Sequence, residues 1–149
     1  MSVEANKTLI RRIVEEALNQ GHLAIADEYF APDYVVHIPT RDDLPRGPTA
    51  FKQSIGMWRS AFADWHMTIE DLVGEGDLVA NRFVTTGTHT GPLFGFPATG
   101  RTMVVRGQEM HRLANGKVVE SWICDDVPSI LGQLGMLRRA DAAALGGSR

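Results

Sequence analysis

Cysteine is nearly absent from this chain, which has only one, Cys124, among 149 residues. A single cysteine cannot form a disulfide within the chain, and this usage favours a reducing compartment. The N-terminus has no apolar signal core, and no apolar run is long enough to cross a bilayer. We therefore predict a cytoplasmic protein that does not have a membrane as its partner.

Charge of a single sign is scarce as well. The formal net charge is −3, and the sequence has no block of like charges. Nucleic acids and anionic membrane surfaces both call for a basic patch on the proteins that bind them. Neither is therefore expected as a partner of this chain.

Familiar catalytic and metal-binding motifs are also missing. The sequence contains no GxSxG elbow, no phosphate-binding loop, no HExxH and no paired CxxC. Histidines fall on separate predicted strands at no familiar metal spacing, namely His37, His66, His89 and His111. The sequence thus predicts no metal site.

The composition that remains is that of an ordinary globular protein. Apolar residues make up 44% of the chain and charged residues 22%, and the length suits one domain with a sizeable core. We predict a single domain over residues 1–149, with its core at about residues 8–137. Residues 138–149 are predicted to form a flexible tail.

Hydrophobic spacing places helices before strands. Helical periodicity predicts helices over residues 2–21, 22–30 and 48–62, and a short helix beginning at Pro128. Alternation and turn residues predict strands over residues 34–38, 65–73, 78–90, 103–113 and 118–125. This order indicates an α+β fold in which a curved antiparallel sheet wraps around the N-terminal helices as a cone. The open end of such a cone is the natural ligand site.

One loop carries large apolar residues among glycines and prolines. Residues 91–100 include Leu93, Phe94 and Phe96, which we expect to cover an apolar surface rather than extend into water. Phe94 and Phe96 are therefore predicted to form the lip of a substrate pocket. Trp58 and His37 are further candidates for substrate binding, the alternatives being a core tryptophan and an ordinary edge-strand histidine.

Several segments together resemble one protein family. They are residues 87–91 (GTHTG), 95–100 (GFPATG), 111–112 (HR), 115–122 (NGKVVESW) and 133–135 (QLG), with Asp126 before the last. In this order they look like the SnoaL-like polyketide cyclases of the nuclear-transport-factor-2-like superfamily, over about residues 10–137. The resemblance implies a cone-shaped α+β barrel, a homodimer or homotetramer, that uses neither a metal nor an organic cofactor.

The resemblance also implies a reaction. Characterised members of the family close rings in aromatic polyketides by intramolecular aldol condensation, which is acid/base chemistry on an apolar, carbonyl-bearing small molecule. The superfamily also includes ketosteroid isomerases and epoxide hydrolases. An isomerase, an epoxide hydrolase, and a non-catalytic binding or dimerisation module on the same fold therefore stay open as alternatives.

A catalytic aspartate is implied near the last strand. Asp126, four positions after Trp122, matches the family's spacing and is the first choice for the acid/base. A regular strand would place Trp122 and Asp126 on one face and Asp125 on the other, which makes Trp122 a predicted substrate wall. In the alternative reading, one of the two aspartates caps the helix beginning near Pro128.

Two residues of the neighbouring strand complete the predicted site. His111 could hold the catalytic aspartate or protonate a carbonyl oxygen. Glu109 would lie close to that aspartate, and one of these two carboxyls would then have to keep its proton. The alternatives are a structural histidine inside the cone and a surface glutamate paired with a basic residue. Arg82 is predicted to pair with acidic residues on the outer face of the sheet.

Overall fold

The N-terminal helix begins where the sequence predicts. The computed structural model describes residues 1–39 and 41–137, so the predicted tail at residues 138–149 lies outside the described part. Helix α1 spans Val3–Ile13, and the Ser2 side chain caps it by accepting a hydrogen bond from the Ala5 amide at 3.1 Å. The helix continues as a wider π-helical segment, Val14–Asn19, before the chain turns at Gly21 with φ +80°.

The second predicted helix is shorter than expected. Residues Leu23–Ile25 form a 3-10 turn and Ala26–Tyr29 form the one-turn helix α2. Strand β1 then covers Phe30–His37, because the chain becomes extended at Phe30 and stays so. Helix α3 spans Pro48–Ala61 and has Pro48 in its first turn, where a missing N–H costs nothing.

Four antiparallel strands and one parallel strand make the sheet. Strands β2 (His66–Glu75), β3 (Leu78–Thr88), β4 (Thr102–Ala114) and β5 (Lys117–Asp125) follow α3 in the chain. The strand order is β1-β5-β4-β3-β2, with β1 parallel to β5 and all other pairs antiparallel. The antiparallel prediction is therefore wrong for β1. No hairpin joins β1 to β5, so no tight turn imposes the antiparallel direction on that pair.

The helices pack on one face of the sheet. Strand β3 alternates between buried and more exposed residues, and the buried set faces the helices. Ile10 and Ile13 of α1 belong to the same buried core as Phe83 of β3 and Val105 of β4. This arrangement confirms the predicted α+β fold.

A short helix closes the described part of the chain. Helix α4 spans Val127–Gln133 and packs near β4, where the Gln133 side chain exchanges two hydrogen bonds with the Val104 backbone. None of the helices within residues 1–39 and 41–137 combines the length and hydropathy needed to cross a bilayer.

Candidate active site

An apolar cavity lies between the helices and the inner face of the sheet. Its volume is about 200 Å³, and aromatic side chains from α3 and β3, among them Trp58 and Phe83, form part of its wall. Few ionisable groups reach this lining; those that bear on proton transfer are Glu109, His111 and Asp125. A pocket that is mostly apolar with a few convergent polar groups is typical of small-molecule sites.

Strand register explains why these three groups meet. The β4–β5 pairing sets Gly107 opposite Asp125 and His111 opposite Ser121. Residues paired across an antiparallel ladder share a face, and so do residues two apart along a strand. Glu109, His111 and Asp125 consequently all face the cavity. A side chain at Gly107 would clash, because its Cβ would lie 2.5 Å from Cζ of Phe83.

The two terminal aspartates have different roles in the structure. Asp126 is exposed, lies beyond the end of β5 and caps α4 by accepting a hydrogen bond from the Ser129 amide at 3.1 Å. Asp125 is the last residue of β5 and lines the cavity. The expectation that Asp126 faces the pocket is therefore wrong, and the capping alternative describes Asp126. The reason is the alternation of side chains along β5, which places Ser121, Ile123 and Asp125 together on its inner face.

Burial separates the pKa values of the two cavity carboxyls. Burial, with the nearby Glu109 charge as a smaller cause, raises the pKa of Asp125 to about 6. Burial also acts to raise the pKa of Glu109, but His111 and the amide of Asn81 outweigh it and hold that pKa below its usual range. The Asn81 amide donates to Glu109 Oε1 at 3.0 Å. Glu109 is thus the ionised partner, and Asp125 titrates close to neutral pH.

His111 contacts both a carboxylate and a hydroxyl. Its Nε2 lies 3.7 Å from Glu109 Oε1, and its Nδ1 lies 2.7 Å from Oγ of Ser121. Ser121 also interacts with the phenol of Tyr34, whose pKa is raised by burial against the opposing effect of that contact. The polar part of the cavity is therefore a connected set of groups rather than isolated side chains.

The predicted lip of the pocket is partly as expected. Phe94 and Trp58 both line the cavity, with their rings edge to face at 5.8 Å. Phe94 has φ +51° and precedes Gly95 at φ +80°, in a turn closed by two hydrogen bonds between Leu93 and Phe96. Phe96 does not line the cavity, although its exposure, 46%, is close to the 45% of Phe94. The turn aims only the first phenylalanine inward.

His37 and Trp122 lie on the outer side of the sheet. Their rings stack at 5.4 Å, and His37 Nε2 contacts Glu120 Oε1 at 2.8 Å. Both residues line a groove that adjoins the cavity and shares Ile123 with it. Trp122 is therefore not a wall of the apolar cavity, because it alternates with the inward-facing Ile123.

Arg82 pairs on the outer face, as predicted. Its guanidinium contacts Asp71 at 2.6 Å and Glu70 at 3.1 Å. Arg82 is therefore turned away from the cavity, and it does not join Glu109 and Asp125 in an arginine–carboxylate cluster of the kind that positions water in an epoxide hydrolase. Within residues 1–39 and 41–137, no group of three His, Cys, Asp or Glu side chains could hold a metal ion.

Three polar residues of the site were given no role from the sequence. Tyr34 and Ser121 are buried beside His111, and Asn81 is buried beside Glu109. The alternation of side chains along each strand was the available signal. Tyr34 alternates with apolar residues along β1, and Ser121 lies on the same face of β5 as Asp125. Which face is the inner one became clear only from the sheet.

Comparison with known proteins places this architecture in a family. A model of the SnoaL-like polyketide cyclase family matches residues 8–134. Aklanonic acid methyl ester cyclase DauD of Streptomyces sp. (strain C5) is 34% identical over 133 residues, covering 83% of this chain and 76% of the relative.

Solved structures agree with that match. TsrD from Streptomyces laurentii superposes with a TM-score of 0.82 at 28% identity, covering 92% of this chain and 99% of the other. Wild-type IdmH from Streptomyces antibioticus gives a TM-score of 0.76 at 35% identity, covering 87% and 98%. The sequence match, the shared fold and the polar groups in an apolar cavity agree, and the chain belongs to the SnoaL-like polyketide cyclase family, a family of cyclase-type enzymes.

Proposed function

We propose that this chain closes a ring by intramolecular aldol condensation, without a cofactor, and that Asp125 is its acid/base. The substrate is an apolar, carbonyl-bearing small molecule related to aklanonic acid methyl ester, the compound named for the relative DauD. The observation that carries the proposal is the Asp125 carboxyl, buried at the polar end of an apolar cavity with a pKa raised to about 6.

The chemistry needs one proton to leave and one to return. The Asp125 carboxylate removes a proton from a carbon between two carbonyls, and the C–H electrons pass into an enolate. The enolate carbon attacks the second carbonyl, forming the C–C bond and leaving an alkoxide. Asp125, now protonated, returns its proton to that oxygen. With a pKa of about 6, roughly nine-tenths of Asp125 is ionised at pH 7, so the base form predominates.

The neighbouring groups serve this proton transfer. Glu109 stays ionised and helps to keep the Asp125 pKa high enough for the carboxyl to act in both directions. His111, which lines the same cavity, donates a hydrogen bond to the developing oxyanion. Trp58 and Phe94 hold the apolar body of the substrate and exclude water from the reacting end.

Adjacent aspartates provide a matched test. Asp125→Asn should lower kcat by about 10²–10⁴-fold, because the amide cannot carry the proton. Asp126→Asn is the control, since asparagine caps a helix as well as aspartate does and this side chain is outside the cavity. Conversion of aklanonic acid methyl ester is followed by chromatography, with circular dichroism to establish folding. Full activity in folded Asp125→Asn protein would refute the assignment, as would loss of activity in Asp126→Asn alone.

We also propose that the chain is a homodimer or homotetramer and that it is located in the cytoplasm. Exposed apolar side chains on the outer face of the sheet support association, with Val73 63% and Met110 38% exposed. Multi-angle light scattering should give a mass of two or four chains, and Met110→Lys should lower it. A wild-type mass of one chain would contradict the oligomer. The single cysteine supports the cytoplasmic location. Fractionation of the source cells tests it.

A further inference from the structure

On the inner face of the sheet, Ser121 lies between two buried polar side chains. Ser121 is 0% exposed and is paired with His111 on β4 and with Val36 on β1. Its Oγ is 2.7 Å from His111 Nδ1, and it also interacts with Tyr34, which is 2% exposed. A polar side chain placed at the centre of the inner face therefore contacts two others and no bulk water.

The charge of Glu109 favours one tautomer of His111. Glu109 Oε1 lies 3.7 Å from Nε2 and, as a carboxylate, can only accept hydrogen bonds. A lone pair on Nε2 would face this negative charge in a poorly solvated site, whereas an N–H would be attracted to it. With the proton on Nε2, Nδ1 must accept. Ser121 is the group within hydrogen-bonding distance that can donate to it.

We propose that Ser121 is the positioning residue that, together with the Glu109 charge, holds His111 as the Nε2–H tautomer and keeps its imidazole directed at the reacting oxygen. The proposal rests on the function proposed above, because it assigns His111 the oxyanion. It explains the presence of a hydroxyl at a buried strand position where an apolar side chain would otherwise be expected.

A hydroxyl suits both protonation states of the ring. Toward neutral His111, Ser121 donates to Nδ1 and its oxygen is free to accept from Tyr34. When the ring takes a second proton, Ser121 accepts from Nδ1–H and its own hydroxyl turns to Tyr34, which then accepts. Ser121 can therefore pair with Nδ1 in either state of the ring without leaving a buried polar atom unpaired.

Few ionisable groups surround this ring. They are Glu109 on β4 and Tyr34 on β1, and β3 places Val79 opposite His111. Asp125 pairs with Gly107, four residues along β4 from His111. The α1 and α3 residues that line the cavity carry no charge, and Arg41 is the cation in its lining among residues 1–39 and 41–137. Among the described residues, Ser121 and Glu109 are therefore the groups that set the tautomer.

The test measures the tautomer directly in the ligand-free, full-length protein. Long-range ¹H–¹⁵N correlation spectra of ¹⁵N-labelled protein distinguish a protonated from an unprotonated ring nitrogen. Wild type should show His111 with Nδ1 unprotonated at pH 8. Ser121→Ala should raise the Nδ1–H tautomer several-fold, because the Nδ1 lone pair then has no donor and only the Glu109 charge still favours Nε2–H. Ser121→Thr should restore the wild-type pattern. An unchanged tautomer ratio in Ser121→Ala would overturn the proposal.

Kinetics then separate this proposal from the proposed function. Ser121→Ala should lower kcat with little change in KM, and Ser121→Thr should recover kcat. If the tautomer shifts as expected while Asp125→Asn remains active, the positioning role stands and the acid/base assignment fails. If Ser121→Ala does not fold, Ser121→Cys keeps the shape with a weaker donor. It should also raise the Nδ1–H tautomer, and failure to do so would refute the role of the hydroxyl.

Discussion

Replacing Glu109 with glutamine tests whether a buried charge sets the proton affinity of Asp125. The substitution removes the carboxylate but keeps an oxygen that can accept from the Asn81 amide, as Glu109 Oε1 does at 3.0 Å. It also adds an N–H that can reach the Asn81 Oδ1, which is buried and without a hydrogen-bond partner. The fold should therefore tolerate the change.

The size of the effect follows from the causes of the Asp125 shift. The pKa of Asp125 rises from 3.8 to about 6, a difference of about two units, and burial contributes more than the Glu109 charge does. Removing the charge should thus lower the pKa by less than about one unit, equivalent to less than about 1.4 kcal/mol. The acid limb of kcat/KM should move to lower pH by that amount.

The measurement is the pH dependence of kcat/KM between pH 4 and 9 for wild type and Glu109→Gln. Glu120→Gln serves as the control, because Glu120 contacts His37 on the outer face and does not line the cavity. The control should leave the acid limb in place. An acid limb that stays fixed or moves to higher pH in Glu109→Gln would show that this charge does not act on Asp125.

Three further substitutions probe the stability and the shape of the site. Asp125→Asn should raise the free energy of unfolding, measured with urea, by up to about 3 kcal/mol at pH 8 and hardly at pH 4. The reason is that the raised pKa of Asp125 makes the wild-type native state lose stability as pH rises through about 6, and asparagine has no such charge. Gly107→Ala should destabilise the fold by about 1–3 kcal/mol in the same assay, since the new Cβ would lie 2.5 Å from Phe83. Phe94→Asn should keep the positive-φ turn but raise KM several-fold, with the melting temperature as a check on folding.

Local signals in the sequence were sufficient for most of the secondary structure. Ser2 caps α1, and the Asn115–Gly116 pair forms the β4–β5 hairpin turn with φ of +52° and +75°. Both depend on residues close in the chain. The pairing of β1 with β5 does not, because these strands are distant in sequence and no turn chemistry specifies their direction.

The site shows the same division between local and distant information. Spacing by two residues was enough to place Glu109 and His111 on one face of β4. Choosing between Asp125 and Asp126 required the exact end of β5, and a one-residue difference exchanges the inner and outer faces. The register irregularity between Arg112 and Leu113 shifts the pairing within that hairpin as well, and hydrophobic alternation alone does not reveal such a bulge.

The helical wall of the cavity is held by polar contacts that are independent of the reacting groups. The Asn19 side chain exchanges hydrogen bonds with the backbone of Met67 on β2, at 2.8 and 3.0 Å. Arg59 of α3 donates to the carbonyls of Leu18 and Asn19 at 2.6 and 2.9 Å. These contacts fix the π-helical segment, which lines the cavity, to both the sheet and α3. The cavity can therefore keep its shape when Asp125 loses its charge, so substitutions there should change proton transfer before they change the fold.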